Sequence, residues 1–119
     1  MVAFGDHHQY YIYTKQIDMR KGIDGLCGIV IDEMQSVPTN GHVYVFFNKP
    51  MDKIKILVWD IDGYVLYMKR LEKGRFENLS KGKEEKKYSI KYTQLVMLMS
   101  GISLVGMKQK PRYKLPEAV

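Results

Sequence analysis

Apolar and polar positions follow a strand-like pattern most clearly between residues 42 and 71. His42–Asn48 (HVYVFFN), Lys53–Asp60 (KIKILVWD) and Tyr64–Leu71 (YVLYMKRL) are three runs rich in β-branched and aromatic residues, the composition of strands. In the second run Lys53 and Lys55 alternate with Ile54 and Ile56, the period-two signature of a half-buried strand. Asn48-Lys49-Pro50-Met51-Asp52 and Asp60-Ile61-Asp62-Gly63 are natural hairpin connections, so the stretch predicts an antiparallel meander. Ahead of it, Tyr10–Thr14 (YYIYT) reads as a short strand. Asp18 is then placed to cap a helix whose apolar face is Met19, Ile23, Leu26, Cys27, Val30, Ile31 and Met34, residues at helical spacing. Gly22, Gly25 and Gly28 each cost that helix about 1 kcal/mol relative to alanine. Their three-residue spacing predicts a narrow face approached by another backbone. Turn chemistry in Ser36–Gly41 (SVPTNG) ends the element.

Beyond the meander, Lys73–Lys87 is polar, and its lysine-rich run Lys81-Gly82-Lys83-Glu84-Glu85-Lys86-Lys87 predicts a solvated loop. Tyr88–Tyr92 predicts a further strand. Thr93 is placed to cap a short apolar helix, Gln94–Ser100, with Gly101 to end it. From Met107 onward Lys108, Lys110, Arg112 and Lys114, with Pro111 and Pro116, read as an extended basic tail. The order β-α-β-β-β-β-α predicts an α+β fold, a mainly antiparallel sheet with two helices packed on it. It would form one domain over residues 1–106, followed by the tail, 107–119.

Charge changes this picture from fold to partner. Nineteen Lys and Arg stand against thirteen Asp and Glu, a net +6, a balance that suits a polyanion such as nucleic acid and also serves plain solubility. The single cysteine, Cys27, rules out an internal disulfide framework and reads as a core residue. No stretch reaches the roughly 18 apolar residues of a membrane span, and residues 1–6 lack the start of a signal peptide. A cytoplasmic protein with no membrane partner is expected.

Chemistry is sparse. Ile56–Gly63 (ILVWDIDG) ends an apolar run in Asp-x-Asp-Gly, which resembles the nucleophile motif of haloacid-dehalogenase-type phosphatases. That reaction needs later acids to hold magnesium, yet no aspartate follows Asp62. A hairpin turn in which Asp60 and Asp62 bond local amides and Gly63 supplies positive φ accounts for the residues better. His7, His8 and His42 have no standard metal-site spacing, and Gly22-x-x-Gly25-x-x-Gly28 is neither a Walker nor a Rossmann loop. Neither an enzyme nor a bound metal or cofactor is expected.

Two basic groups remain. Arg20-Lys21 stands at the expected helix start, with Asp24 one turn on as a possible ion-pair partner of Arg20. Lys69-Arg70 with Lys73 and Arg75 follows the third meander strand, near Tyr64, Tyr67 and Phe76, which could stack on bases or simply pack. Around them lie blocks in a telling order: Asp18–Leu26 (DMRKGIDGL), Gly41–Phe46 (GHVYVF), Lys55–Asp60 (KILVWD), Lys69–Phe76 (KRLEKGRF), Gln94–Leu98 (QLVML) and Gly101-Ile102. Together they resemble the TnpB accessory proteins of bacterial insertion sequences of the sixty-six family over about residues 10–102. After Arg75-Phe76 that family often continues with Trp and Pro, where Glu77, Asn78 and Leu79 stand here. The lysine-rich loop and Ser103 also depart from its pattern.

The resemblance implies a non-catalytic role beside a separate, larger transposase. Two modes of action stay open. Arg20, Lys21, Lys69, Arg70, Lys73 and Arg75 could contact DNA phosphates. Alternatively, a sheet edge or an aromatic patch including Tyr44, Phe46 and Trp59 could bind the transposase without DNA. Sequence alone leaves the oligomeric state open.

Overall fold

The computed structural model describes residues 3–100. Its elements are β1 (Tyr10–Gln16), α1 (Ile23–Asp32), β2 (Val43–Phe47), β3 (Lys53–Asp60), β4 (Gly63–Arg70), β5 (Lys87–Ile90) and α2 (Tyr92–Met99). Order and fold class are as the sequence predicts. The tail from 107 and the helix-ending role of Gly101 lie outside the described residues. One sheet runs β4-β3-β2-β1-β5. β2, β3 and β4 form the expected meander, with Tyr44 opposite Leu57 and Leu57 opposite Leu66. β5 pairs antiparallel with β1, while β1 and β2 pair in parallel, Tyr10 opposite Val43. A parallel pair needs a crossover, and α1 supplies it.

Both faces of the sheet are covered. Leu26, Val30 and Met34 pack with Tyr13, Tyr44, Phe46 and Leu57 on one face. On the other, Leu95 and Leu98 of α2 and Phe76 of the long loop pack with Tyr10, Ile12, Val45 and Ile56. This explains why every residue of β2 is buried, the pattern of a strand enclosed on both sides. It also corrects the reading of β3 as half-exposed. Lys55, expected in water, is 7% exposed.

Lys55 sits under the segment that leaves β1, and its ammonium donates to the carbonyls of Met19 and Lys21, both at 2.7 Å. These carbonyls are thereby held outside the helix, so α1 begins at Ile23 with Gly22 as N-cap. Asp18 instead closes a turn. Its Oδ1 accepts the backbone N–H of Arg20 at 2.9 Å, and its carbonyl accepts that of Lys21 at 3.0 Å. The glycine face is not a close-contact surface. A Cβ at Gly22 or Gly28 would meet nothing within 4 Å, and one at Gly25 would meet only the Lys21 side chain. At the second helix the N-cap is Lys91 rather than Thr93, and Gln94 accepts its backbone N–H at 2.8 Å, half of a capping box.

The two hairpins differ in kind. Between β2 and β3, buried Asn48 organises the connection. Its Oδ1 accepts the backbone N–H groups of Asp52 (3.1 Å) and Lys53 (3.0 Å), and its Nδ2 donates to Asp52 Oδ1 at 2.6 Å. Between β3 and β4, positive φ falls on Ile61 (φ 53°), not on Gly63, and Asp62 N–H bonds back to the Asp60 carbonyl, a γ-turn. A β-branched residue in this conformation is strained by about 1–2 kcal/mol. Ile61 is also 91% exposed, so no burial offsets the strain.

Two stability measurements test these contacts. Ile61→Gly is expected to stabilise the fold by roughly 0.5–1 kcal/mol, the strain relief reduced by glycine's backbone entropy. A denaturant midpoint unchanged or lowered by that change would contradict the strain. Lys55→Met removes two charge-assisted bonds and is expected to cost roughly 1.5–3 kcal/mol. It should also speed amide exchange in residues 18–22, and exchange as slow as in the parent chain would show that Lys55 does not hold this segment.

Candidate nucleic-acid interface

Because β1 and β2 run in parallel and β3 and β4 return antiparallel, the exits of β1, β2 and β4 and the entry to β3 meet at one rim. Backbone hydrogen bonds tie the connecting segments together there. Ile17 N–H donates to the Phe47 carbonyl (2.9 Å), Leu71 N–H to Asp52 (2.8 Å) and Phe76 N–H to Met51 (2.7 Å). Lys55 adds the segment 18–21. The consequence is electrostatic. Arg20, Lys21, Lys49, Lys53, Lys69, Arg70, Lys73 and Arg75 all stand on or beside this rim, interspersed with Asp18, Asp52, Glu72 and Glu77.

All six basic residues singled out from the sequence are exposed, and the fold brings them to the same rim from opposite sides of the sheet. Alternation along β3 and β4 puts Lys53 and Arg70 on the α1 face with Leu57 and Leu66. The Arg20-Lys21 segment is tied to Lys55 on that face. Lys69 points to the other face, where its ammonium donates to the Met99 carbonyl at 2.9 Å. Lys73 and Arg75 follow in the loop that Phe76 anchors against Phe47, with ring centroids 5.8 Å apart.

Two of the arginines are already engaged. The Arg20 guanidinium forks onto Asp18, with Nη2 to Oδ2 at 2.6 Å and Nε to Oδ2 at 3.0 Å. The partner is Asp18, not Asp24. Arg20's side-chain and backbone hydrogen bonds hold the Asp18 carboxyl down at about 2, from an ordinary 3.8, and the same pairing raises the guanidinium pKa. Arg70 Nε donates to Glu72 Oε1 at 2.7 Å. Both pairs are solvent-exposed, and exposed pairs of this kind are weak, because water and salt screen them.

Register across the β3–β4 hairpin makes Lys53 and Arg70 direct cross-strand partners. Like charges opposite one another destabilise a sheet, and the Arg70–Glu72 pair offsets part of that repulsion. Lys55, read as a surface residue, turns out to be the internal support of the Arg20-Lys21 segment.

The aromatic residues near the basic groups pack rather than stand free. Phe76 is buried, Tyr67 meets Phe4 edge-on at 5.4 Å, and Tyr64 meets Trp59 edge-on at 5.0 Å at the far end of β4. A hydrogen bond with Cys27, then burial, pushes the Tyr64 hydroxyl up to about 12. Tyr44 and Phe46 are fully buried, which removes them from the aromatic docking patch considered above.

The opposite rim carries Asp60, Ile61 and Asp62 on the β3–β4 turn. The Asp-x-Asp-Gly residues form the turn of this hairpin, with Asp60 opposite Gly63 and Ile61 at positive φ; among the described residues no group of three or more His, Cys, Asp and Glu side chains comes together. His8 bonds the Gly41 carbonyl (3.3 Å) and His42 bonds Asn40 (3.1 Å). No helix among the described residues is long and apolar enough to cross a membrane.

Comparison with known proteins agrees with the blocks read from the sequence. Two proteins of Sinorhizobium fredii are similar over most of their length and carry only the designation uncharacterized. Protein y4jC is 27% identical over 100 residues, covering 84% of each chain. Protein y4hO is 31% identical over 102 residues, covering 86% of this chain and 87% of its own. No solved structure matches. The family described as IS66 Orf2 like protein matches over residues 8–109, a span that holds every described element and the whole basic rim, and the chain therefore belongs to this family of insertion-sequence accessory proteins.

Proposed function

We propose that this accessory protein contacts DNA through the basic rim, assisting a separate transposase without catalysing strand cleavage or joining itself. The observation that carries the reading is the convergence of Arg20, Lys21, Lys69, Arg70, Lys73 and Arg75 on one rim of the sheet, joined there by Lys49 and Lys53. Phosphates bound along such a rim position a protein without reading bases. A second reading rests on the same charges: the rim binds an acidic surface of the transposase. The DNA reading is favoured by the rim's span, since basic side chains on both sides of the sheet can follow successive phosphates of a duplex.

Fluorescence anisotropy with duplex DNA from the element's ends, titrated at several salt concentrations, tests the proposal. Four to six phosphate contacts predict a log–log slope of roughly −4 to −5. Arg70→Gln and Arg75→Gln should each flatten it by about one unit, and an unchanged slope in both would reject those contacts. Glu72→Gln frees Arg70 from its own carboxylate and is expected to tighten binding a few-fold. Absence of binding at low salt, with capture of the purified transposase in nuclease-treated buffer, would favour the second reading.

A further inference from the structure

We propose that the outer edge of β4 pairs with the same edge of a second copy of the chain, antiparallel about Leu66, giving a two-fold dimer whose sheet is continuous across both copies.

β4 is one of the two terminal strands, and it is the long one: eight residues against four in β5. Proteins blunt such edges with short strands, prolines, bulges or charges placed mid-strand. β4 has none of these in its central stretch. Tyr64–Met68 (YVLYM) contains neither charge nor proline, and its register with β3 runs unbroken through eight residue pairs. The Leu71 N–H bond to the Asp52 carbonyl fixes which residues face β3. By antiparallel alternation, Tyr64, Leu66, Met68 and Arg70 turn their backbone groups outward. Among the described residues no strand lies beyond them.

Charge selects the occupant. The strand enters from an acidic turn, Asp60 and Asp62, and leaves through Lys69 and Arg70. An antiparallel copy therefore meets it with opposite charges at both ends, whereas a parallel copy would set like against like. Centring the axis on Leu66 puts Asp62 opposite Arg70 of the second copy, Tyr64 opposite Met68 and Leu66 opposite Leu66. The last two are a sulfur–aromatic contact and an apolar contact on one face, while Asp62, in the turn just before the strand, brings its carboxylate to the end where the second copy's Arg70 lies. Centring it on Tyr67 would instead oppose Asp62 to Glu72. Met68, which is 54% exposed in the single chain, becomes covered. The contact is isologous and closes on itself, so it stops at two copies.

Sedimentation velocity of the full chain without DNA, over a range of concentrations, combined with amide exchange, tests the dimer. A reversible dimer is expected, with exchange at Tyr64, Leu66, Met68 and Arg70 slowing as concentration rises. Asp62→Arg alone and Arg70→Asp alone should each raise the dissociation constant by roughly tenfold, because two-fold symmetry counts each lost pair twice. The double variant should restore it, and unchanged circular dichroism in all three shows that the fold is intact. A chain that stays monomeric at the highest concentration overturns the proposal. If those four amides are then protected at every concentration, another segment of the same chain holds the edge. If they exchange freely, the edge is open or awaits a different protein. Single charge reversals without effect, or a double variant that fails to recover, overturn this register and the choice of a second copy.

Discussion

The Lys55 ammonium ties the sheet to the segment that precedes α1. It comes from the middle of an apolar strand and is buried, and it reaches the surface layer only through the carbonyls of Met19 and Lys21. Those two bonds compensate a charge that is costly to bury alone. They also keep residues 18–21 out of the helix and so decide where α1 begins. With α1 starting at Ile23, Leu26, Val30 and Met34 fall on the sheet, and the Arg20-Lys21 pair is held beside Lys53 and Arg70. One side chain thus couples the core to the basic rim.

The basic rim arises from topology more than from any local cluster. The residues that build it come from three segments separated by tens of positions, and none forms a strong patch alone. A parallel β1–β2 pair sends both strands out at the same end, and the meander starts and finishes there. This concentrates cations at one rim and leaves Asp60 and Asp62 at the other. The chain thus carries a charge gradient along its strands, and both the DNA reading and the antiparallel dimer draw on it. Asp18 and Glu72 temper the rim by pairing with Arg20 and Arg70, which limits like-charge repulsion there.

Local strain and local repulsion mark places where folding alone does not explain the residue chosen. Ile61 occupies a left-handed turn position that glycine or asparagine would fill more easily, and it projects into solvent. Lys53 and Arg70 face each other across strands. Each costs the isolated chain stability, and each lies at an end of the sheet where a partner would make contact.

Much was legible from the sequence because it is local physics. Strand composition and turn residues located five strands and two helices in their correct order, and the hairpin reading of Asp60–Gly63 held even though the positive φ passed from Gly63 to Ile61. Periodicity was less reliable where tertiary contacts outweighed it. Lys55 looked like a solvent-facing residue because alternation cannot show that a loop will fold over that face, and Asp18 looked like a helix cap because nothing local shows that Lys55 will claim the next carbonyls. Tyr44 and Phe46 looked available for docking because a run of aromatics does not reveal that both sheet faces are covered. The six basic residues were identifiable by type and clustering. Their meeting on one rim, and the pairing of Lys53 with Arg70, depend on the parallel β1–β2 pair and the register of β3 on β4. By itself the sequence determined the elements, the charge and the family blocks, since each is a matter of neighbouring residues. Only the tertiary structure decided which charges stand together, because that follows from contacts between segments far apart in the chain.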